Sequence, residues 1–297
     1  MFVIAFDTIT ASNAILNIYI MKKIFFTFIL IILCSTIKAQ WFDYPIIELD
    51  TAKLQVSYQL TYFDDTNHME FMRQEQQILI IGDKASSYQS YNDLKFYQTG
   101  RKKQQEGNLM VWLQSGLNDD NYVSAFHYVI YKNHHNGIIT YTDYNMSAGN
   151  LLYEENKQAF DWEITTETDS INGFLSQKAM CNYGGRRWEA WFTPDIPYSD
   201  GPYKFCGLPG LILKIADTQG HYSFNVLALE LSEHGTMVEF RDINYIKTTR
   251  KEFNKMMDDY NKDIINVLRG MGIDASNAQQ ASQYVSSKNN PLELDRK

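Results

Sequence analysis

The chain has 297 residues, of which 44% are hydrophobic, 21% charged and 14% aromatic. That balance supports an ordinary hydrophobic core and excludes disordered, collagen-like and coiled-coil architectures. A net charge of −8 leaves no basic surface to neutralise phosphates, so nucleic acid is excluded as a partner class.

The first informative segment is Met21 to Ala39, MKKIFFTFILIILCSTIKA. Lys22 and Lys23 precede an apolar run from Ile24 to Leu33, and a small residue closes the segment, which is the pattern of a cleaved secretory leader. The run is shorter than the roughly 20 residues a helix needs to span a bilayer. Residues 1–20 have no cationic start of their own, so the expected initiator is Met21, with cleavage near Gln40 or Trp41. Export to the periplasm or outer envelope follows. Cys34 offers a lipid-anchor alternative, weakened because Leu33 stands where a small residue is needed. Cys181 and Cys206 remain after cleavage, and an oxidising space leaves two readings open: a disulfide stabilising by roughly 3 kcal/mol, or two buried thiols.

From Ala52 to Phe63, Leu54, Val56, Tyr58, Leu60 and Tyr62 alternate with Gln55, Ser57, Gln59 and Thr61, which predicts a half-buried antiparallel strand. Strands are predicted next at Gln77–Ile81 and Ser86–Tyr91. The polar stretch Asn92–Glu106 reads as a loop with one helix. Tyr122–Tyr131 is apolar on both alternating sets and reads as a strand covered on both sides. His134-His135-Asn136-Gly137 then turns the chain into Ile138–Tyr144. The paired histidines lack a third ligand at useful spacing and read as a solvated turn, without a metal. His127, flanked by apolar residues, reads as a hydrogen-bonded core histidine.

Further strands are predicted at Phe160–Ile164, Ile171–Met180, Arg187–Phe192, Leu211–Ala216, His221–Leu231 and Thr236–Asn244, with a bulge near Val226 where the apolar phase shifts. Thr249 and Glu252 form a capping box that opens a helix with the stripe Phe253, Met256, Met257, Tyr260, Ile264, Val267 and Leu268, ended by Gly270. The expected layout is an antiparallel β domain over 40–247, a helix packed on its sheet over 248–270, and a weak helix with a mobile tail over 271–297. The fold class is mainly β (α+β), a curved antiparallel sheet or open half-barrel packed on the C-terminal helix.

Arg186 to Ile215 holds four of the six prolines. Pro194, Asp195, Pro197, Gly201 and Pro202 punctuate it, and Leu208-Pro209-Gly210-Leu211 fits a type II turn. A long loop of so fixed a shape reads as a stiff scaffold piece. Its carboxylates, Glu189, Asp195 and Asp200, raise the question of acid–base chemistry. In the Arg187–Phe192 strand, however, Arg187 and Glu189 share a wetted face and read as a surface ion pair.

The string Gly207-Leu208-Pro209-Gly210-Leu211-Ile212, preceded by Trp188-Glu189-Ala190-Trp191-Phe192-Thr193-Pro194-Asp195-Ile196-Pro197 and Gly201-Pro202-Tyr203-Lys204-Phe205, resembles the GLPGLI family, secreted proteins of Bacteroidota without an established activity. The likeness extends through Ile171, Gly173, Lys178 and Ala179, and more loosely through Ile80-Ile81-Gly82-Asp83. Where members often carry a cysteine, this chain has Ser176, so the resemblance makes Cys181 the candidate partner of Cys206. By analogy it implies a sheet curved around a helix, similar to the periplasmic lipoprotein carriers.

Three functions are carried forward. The first is a non-catalytic envelope binding or carrier protein with a hydrophobic small molecule or lipid as partner, held in an apolar concavity rimmed by Trp188, Trp191 and Tyr203. The second is a glycan-handling enzyme or module using Asp195 and Asp200. The third is a docking protein of an outer-membrane assembly. No nucleotide loop, hydrolase elbow or metal signature is present, so no cofactor is expected.

Overall fold

A computed structural model describes residues 42–116, 120–157, 160–232, 235–270, 272 and 274–296. The leader expected at 21–39, the start at Met21 and Cys34 lie outside them. The described residues divide into two compact units, one lying within 44–95, 124–260 and 287–296, the other within 42–43, 96–123 and 261–286.

The first unit is an open, curved sheet of thirteen strands. In chain order they are β1 (Ile46–Tyr62), β2 (Arg73–Gly82), β3 (Ala85–Ser90), β4 (Val129–Asn133), β5 (Ile138–Asn145), β6 (Gly149–Asn156), β7 (Glu163–Ile171), β8 (Phe174–Tyr183), β9 (Arg186–Thr193), β10 (Leu211–Asp217), β11 (Tyr222–Leu231), β12 (Met237–Arg241) and β13 (Ile246–Thr248). They pair in the order β13-β6-β5-β4-β3-β2-β1-β11-β10-β9-β8-β7, with β12 also on β1. Every pairing is antiparallel except β13 with β6. The mainly β fold read from the sequence is therefore the fold of the protein.

The central strand β1 shows why this sequence folds so. Its period-2 apolar set is buried in the main core, and each such side chain contributes about 1.5–3 kcal/mol by leaving water. The register against β11 shifts where Ser57 pairs Ala228 and Tyr58 pairs Val226, leaving Leu227 as the extra residue beside the predicted bulge. In β2 the even positions Ile78 and Ile80 face a second, smaller core with Val238, so this strand is buried on both faces.

Several expected boundaries move. Strand structure begins at Val129 rather than Tyr122, because Glu75 accepts Ser124 O–H and Ala125 N–H and the Ser124 hydroxyl takes the Phe126 N–H, so side chains replace a sheet partner. Ile171 ends β7 instead of opening the next strand. Asn172 and Gly173 follow at φ 50° and 85°, the two-residue turn of a tight hairpin. β6 and β13 lie in stretches without a clear sequence signal.

The helices are α1 (Tyr91–Gln105), α2 (Leu109–Gly116), α3 (Arg250–Gly270) and α4 (Ala275–Ser287). The capping box forms: Glu252 Oε2 accepts the Thr249 N–H at 3.1 Å and Thr249 Oγ1 accepts the Glu252 N–H at 3.2 Å. Phe253 then packs on Tyr141 and Tyr153 of the sheet, with ring centroids 5.4 and 5.2 Å away. In the second unit Phe42 packs edge-on against Phe96, Tyr97 and Trp112. A Cβ at Gly100 would stand 2.4 Å from the Phe42 ring, so a larger residue there requires the ring to move. No helix among the described residues is long and apolar enough to cross a membrane.

Candidate functional site

The loop between β9 and β10 lies across the main face of the sheet. Phe205 and Leu208 of the loop, and Leu211, Ile212 and Leu213 where β10 begins, are buried in the main core, and the Phe205 ring meets Trp188 at 4.8 Å. Its turn differs from the type II form predicted. Gly210 has φ +148°, but the Leu211 N–H donates to Ile196 O at 3.0 Å rather than back to Leu208. A Cβ on Gly210 would stand 2.0 Å from Thr193 O, so close backbone approach, more than turn type, requires glycine here.

Buried charges fasten this loop. Asp200 takes Lys132 Nζ on Oδ1 at 2.5 Å and Ser86 Oγ on Oδ2 at 2.5 Å. Lys132 also donates to Gly201 O at 2.6 Å and Phe205 O at 3.3 Å. The Lys132 and Asp200 side chains are 0% and 1% exposed. Burial alone would raise the Asp200 carboxyl, but the Lys132 ammonium and these hydrogen bonds hold it below the usual range. Asp195 is exposed while Asp200 is buried in this ion pair, and neither lines the groove described below. Glu189 pairs with Lys178 at 3.0 Å and Arg187 with Glu163 at 3.2 Å, correcting the expected Arg187–Glu189 pair.

The expected aromatic rim is also displaced. Trp188 is buried and its Nε1 donates to Tyr183 O at 3.0 Å. Tyr203 is buried and its hydroxyl donates to Glu293 Oε1 at 2.6 Å. Trp191 alone stays partly exposed, beneath the Lys178 ammonium. The sheet face expected to hold a ligand is filled by the loop's own aromatic and aliphatic side chains. Cys181 and Cys206 are both buried free thiols in this structure, the second of the two readings left open by the sequence; burial pushes them up to about 12 and about 11.

Other expectations on histidine shift as well. His127 bonds Asp93 at 3.1 Å but its side chain is 48% exposed, so it is a rim residue rather than a core one. His134 is not simply solvated: its Nε2 lies 3.7 Å from Asp200 Oδ2. No cluster able to hold a metal occurs among the described residues.

A second charged cluster was missed by the sequence reading. Lys204, 1% exposed, bonds Glu155 at 2.7 Å and Glu293 at 2.9 Å among the rings of Tyr141, Tyr153 and Tyr203. Instead of a mobile tail, residues 290–295 run along the sheet with Asn290, Leu292 and Glu293 buried. Burial would raise the Glu293 carboxyl, yet Lys204, Arg250 and the Tyr203 hydroxyl bring it down to about 2.

The opposite face of β4, β5 and β6 carries a half-open groove of about 670 Å³. Strand alternation that sends Ile130, Tyr141 and Tyr153 to the main core sends Tyr131, Thr140 and Leu152 here. The other wall is Phe240 of β12 and the chain from Asp242 to Tyr245, with Phe240 edge-on to Tyr131 at 4.9 Å. Lys84, His135, Glu154 and Lys247 stand among the remaining lining residues.

Fold and site together define a class: an open antiparallel sheet whose main face is closed by a proline- and glycine-rich loop clamped through buried ion pairs. Residues 184–214, the segment holding that loop, match a family described as "Protein of unknown function (Porph_ging)". No curated protein matches the chain. Among solved structures, PNGF-II in space group P21 is similar at 14% identity and a TM-score of 0.47, covering 69% of this chain and 33% of that one. PNGF-II in space group C2 is similar at 15% identity and a TM-score of 0.46, covering 70% and 33%. The chain thus spans about a third of the length of those structures.

Proposed function

We propose that the protein is a non-catalytic binding protein of the cell envelope, a GLPGLI family member, that holds a small amphipathic ligand in the groove behind β4, β5 and β6. The groove itself is the observation that carries this reading. At about 670 Å³ it falls within the range of small-molecule sites, and its lining, in which apolar residues such as Tyr131, Leu152 and Phe240 alternate with charged ones such as Lys84, Glu154 and Lys247, suits an amphipathic molecule. The state of the acidic side chains in the loop supports a role without catalysis. Asp200 is buried and engaged by Lys132 and Ser86, an arrangement that suits a structural clamp. The leader-like segment Met21–Ala39 supports export, and the match at 184–214 falls on the segment that carries the family resemblance.

The test is mass spectrometry of organic extracts from protein exported by its host, compared with a Thr140→Trp variant whose indole fills the groove. The expected result is one amphiphile retained by the native protein and reduced at least tenfold in the variant. Where the native protein is recovered empty, titration with 1-anilinonaphthalene-8-sulfonate replaces extraction, with the same tenfold loss expected. Equal retention by both proteins overturns the assignment.

A further inference from the structure

The segment Asn290–Asp295 is held by a dense set of polar contacts around one buried apolar side chain. Along Asn290–Asp295, nearly every polar group is met by a partner from the body of the sheet unit. Arg186 donates to Asn290 Oδ1 at 2.6 Å, Pro291 O at 2.7 Å and Leu292 O at 2.9 Å. Tyr222 Oη donates to Asn290 O at 2.6 Å, and the Asn290 amide donates to Phe63 O at 2.5 Å. Leu292 enters the main core. Glu293 receives Tyr183 Oη at 2.8 Å, Tyr203 Oη at 2.6 Å, Lys204 at 2.9 Å and Arg250 Nε at 3.0 Å. The Leu294 N–H donates to Gly184 O at 2.6 Å.

The two buried cations of the receiving surface also have partners outside this segment. Arg186 has its own counter-ion in Asp217 at 3.0 Å and stacks over the Tyr222 ring at 5.0 Å. Lys204 has Glu155 at 2.7 Å and three tyrosine rings around it. Removing the tail therefore does not strand either buried cation without a partner, the cost that makes most buried ion pairs permanent. An extended chain read through backbone carbonyls, one apolar anchor and one side-chain carboxylate is the logic of peptide recognition.

We propose that this surface is a peptide-binding site occupied in cis by the chain's own tail, and that its ligand class is an extended acidic peptide with an amide residue, a proline, an apolar residue and a carboxylate in succession. Tethering gives the tail a millimolar-range effective concentration, so a free peptide competes only when the tail is weakened or the peptide is abundant. The site is separate from the groove behind β4, β5 and β6, and each stands or falls alone.

The experiment uses the full exported chain and a fluorescein-labelled peptide of the sequence Ser287–Lys297, read by anisotropy. The Asn290→Ala/Glu293→Ala variant, its fold checked by circular dichroism, is expected to bind the peptide at least thirtyfold more tightly than the native chain. Glutamine in place of the peptide's glutamate, or Lys204→Met in the protein, is expected to lower affinity at least tenfold. A folded double variant that fails to bind, or that binds both peptides equally, overturns the proposal. Should the double variant not fold, hydrogen exchange of the native chain decides: excess peptide is expected to accelerate exchange at Leu294, and an unchanged rate overturns the proposal.

Discussion

Lys132 and Asp200 show how a single residue can govern a whole loop. A lysine in mid-sheet with no exposure holds both a carboxylate and two carbonyls of the segment after β9. Replacing it with methionine leaves Asp200 buried and unpaired, and the expected loss is about 3–5 kcal/mol in urea unfolding. Lys132→Met/Asp200→Leu is expected to recover most of that loss, because the cost lies in the stranded charge. The pair was legible in principle: Tyr128, Ile130 and Lys132 share one strand phase, so the lysine had to point inward. Composition hides it, since lysine is ordinarily a surface residue.

Glu293 makes the corresponding statement about pH. Its folded carboxyl sits at about 2 against an ordinary 4.5. A depressed folded value means stabilisation is complete above 4.5 and is lost as the pH falls toward 2. The amount at stake is about 3 kcal/mol. The urea midpoint is expected to fall steadily between pH 5 and pH 2, and Glu293→Gln is expected to flatten that slope while lowering the midpoint at neutral pH.

At the scale of elements, the loop from Thr193 to Leu211 is tied by close approach of backbone to backbone. Gly210→Ala places a Cβ against Thr193 O, and the expected destabilisation is at least about 2 kcal/mol by thermal unfolding. What the sequence conveyed about elements follows their physics. β1 and the capped start of α3 were readable because period-2 alternation and a Thr-x-x-Glu box are local signals. The extended stretch before β4 was misplaced because its hydrogen bonds go to Glu75, a residue remote in the chain. The candidate site was less legible still. Trp188 and Tyr203 have the composition of a ligand rim, yet burial depends on which loop crosses the sheet, and nothing local records that. The groove was unread because Tyr131 and Phe240 come from distant strands and meet only through the pairing order.

For the molecule as a whole, covalent crosslinking plays no part in the described structure. Cys181 and Cys206 are expected to be silent to Ellman's reagent in the native protein and to react together on denaturation without reductant. Two missing thiols in that assay would identify a bridge. Integrity rests instead on a sheet whose main face is packed throughout with aromatic and aliphatic side chains.

An open sheet has two ends, and their treatment bears on behaviour in a crowded compartment. β13 is three residues long and pairs in parallel, too brief to template a neighbour. β7 is longer and almost wholly exposed, but it displays Glu163, Glu167 and Asp169 along the edge. Glu163 and Glu167 are tied to Arg187 and Lys178 on the neighbouring strands, so the edge presents fixed charge of both signs, which disfavours strand-to-strand stacking where an uncharged edge would invite it.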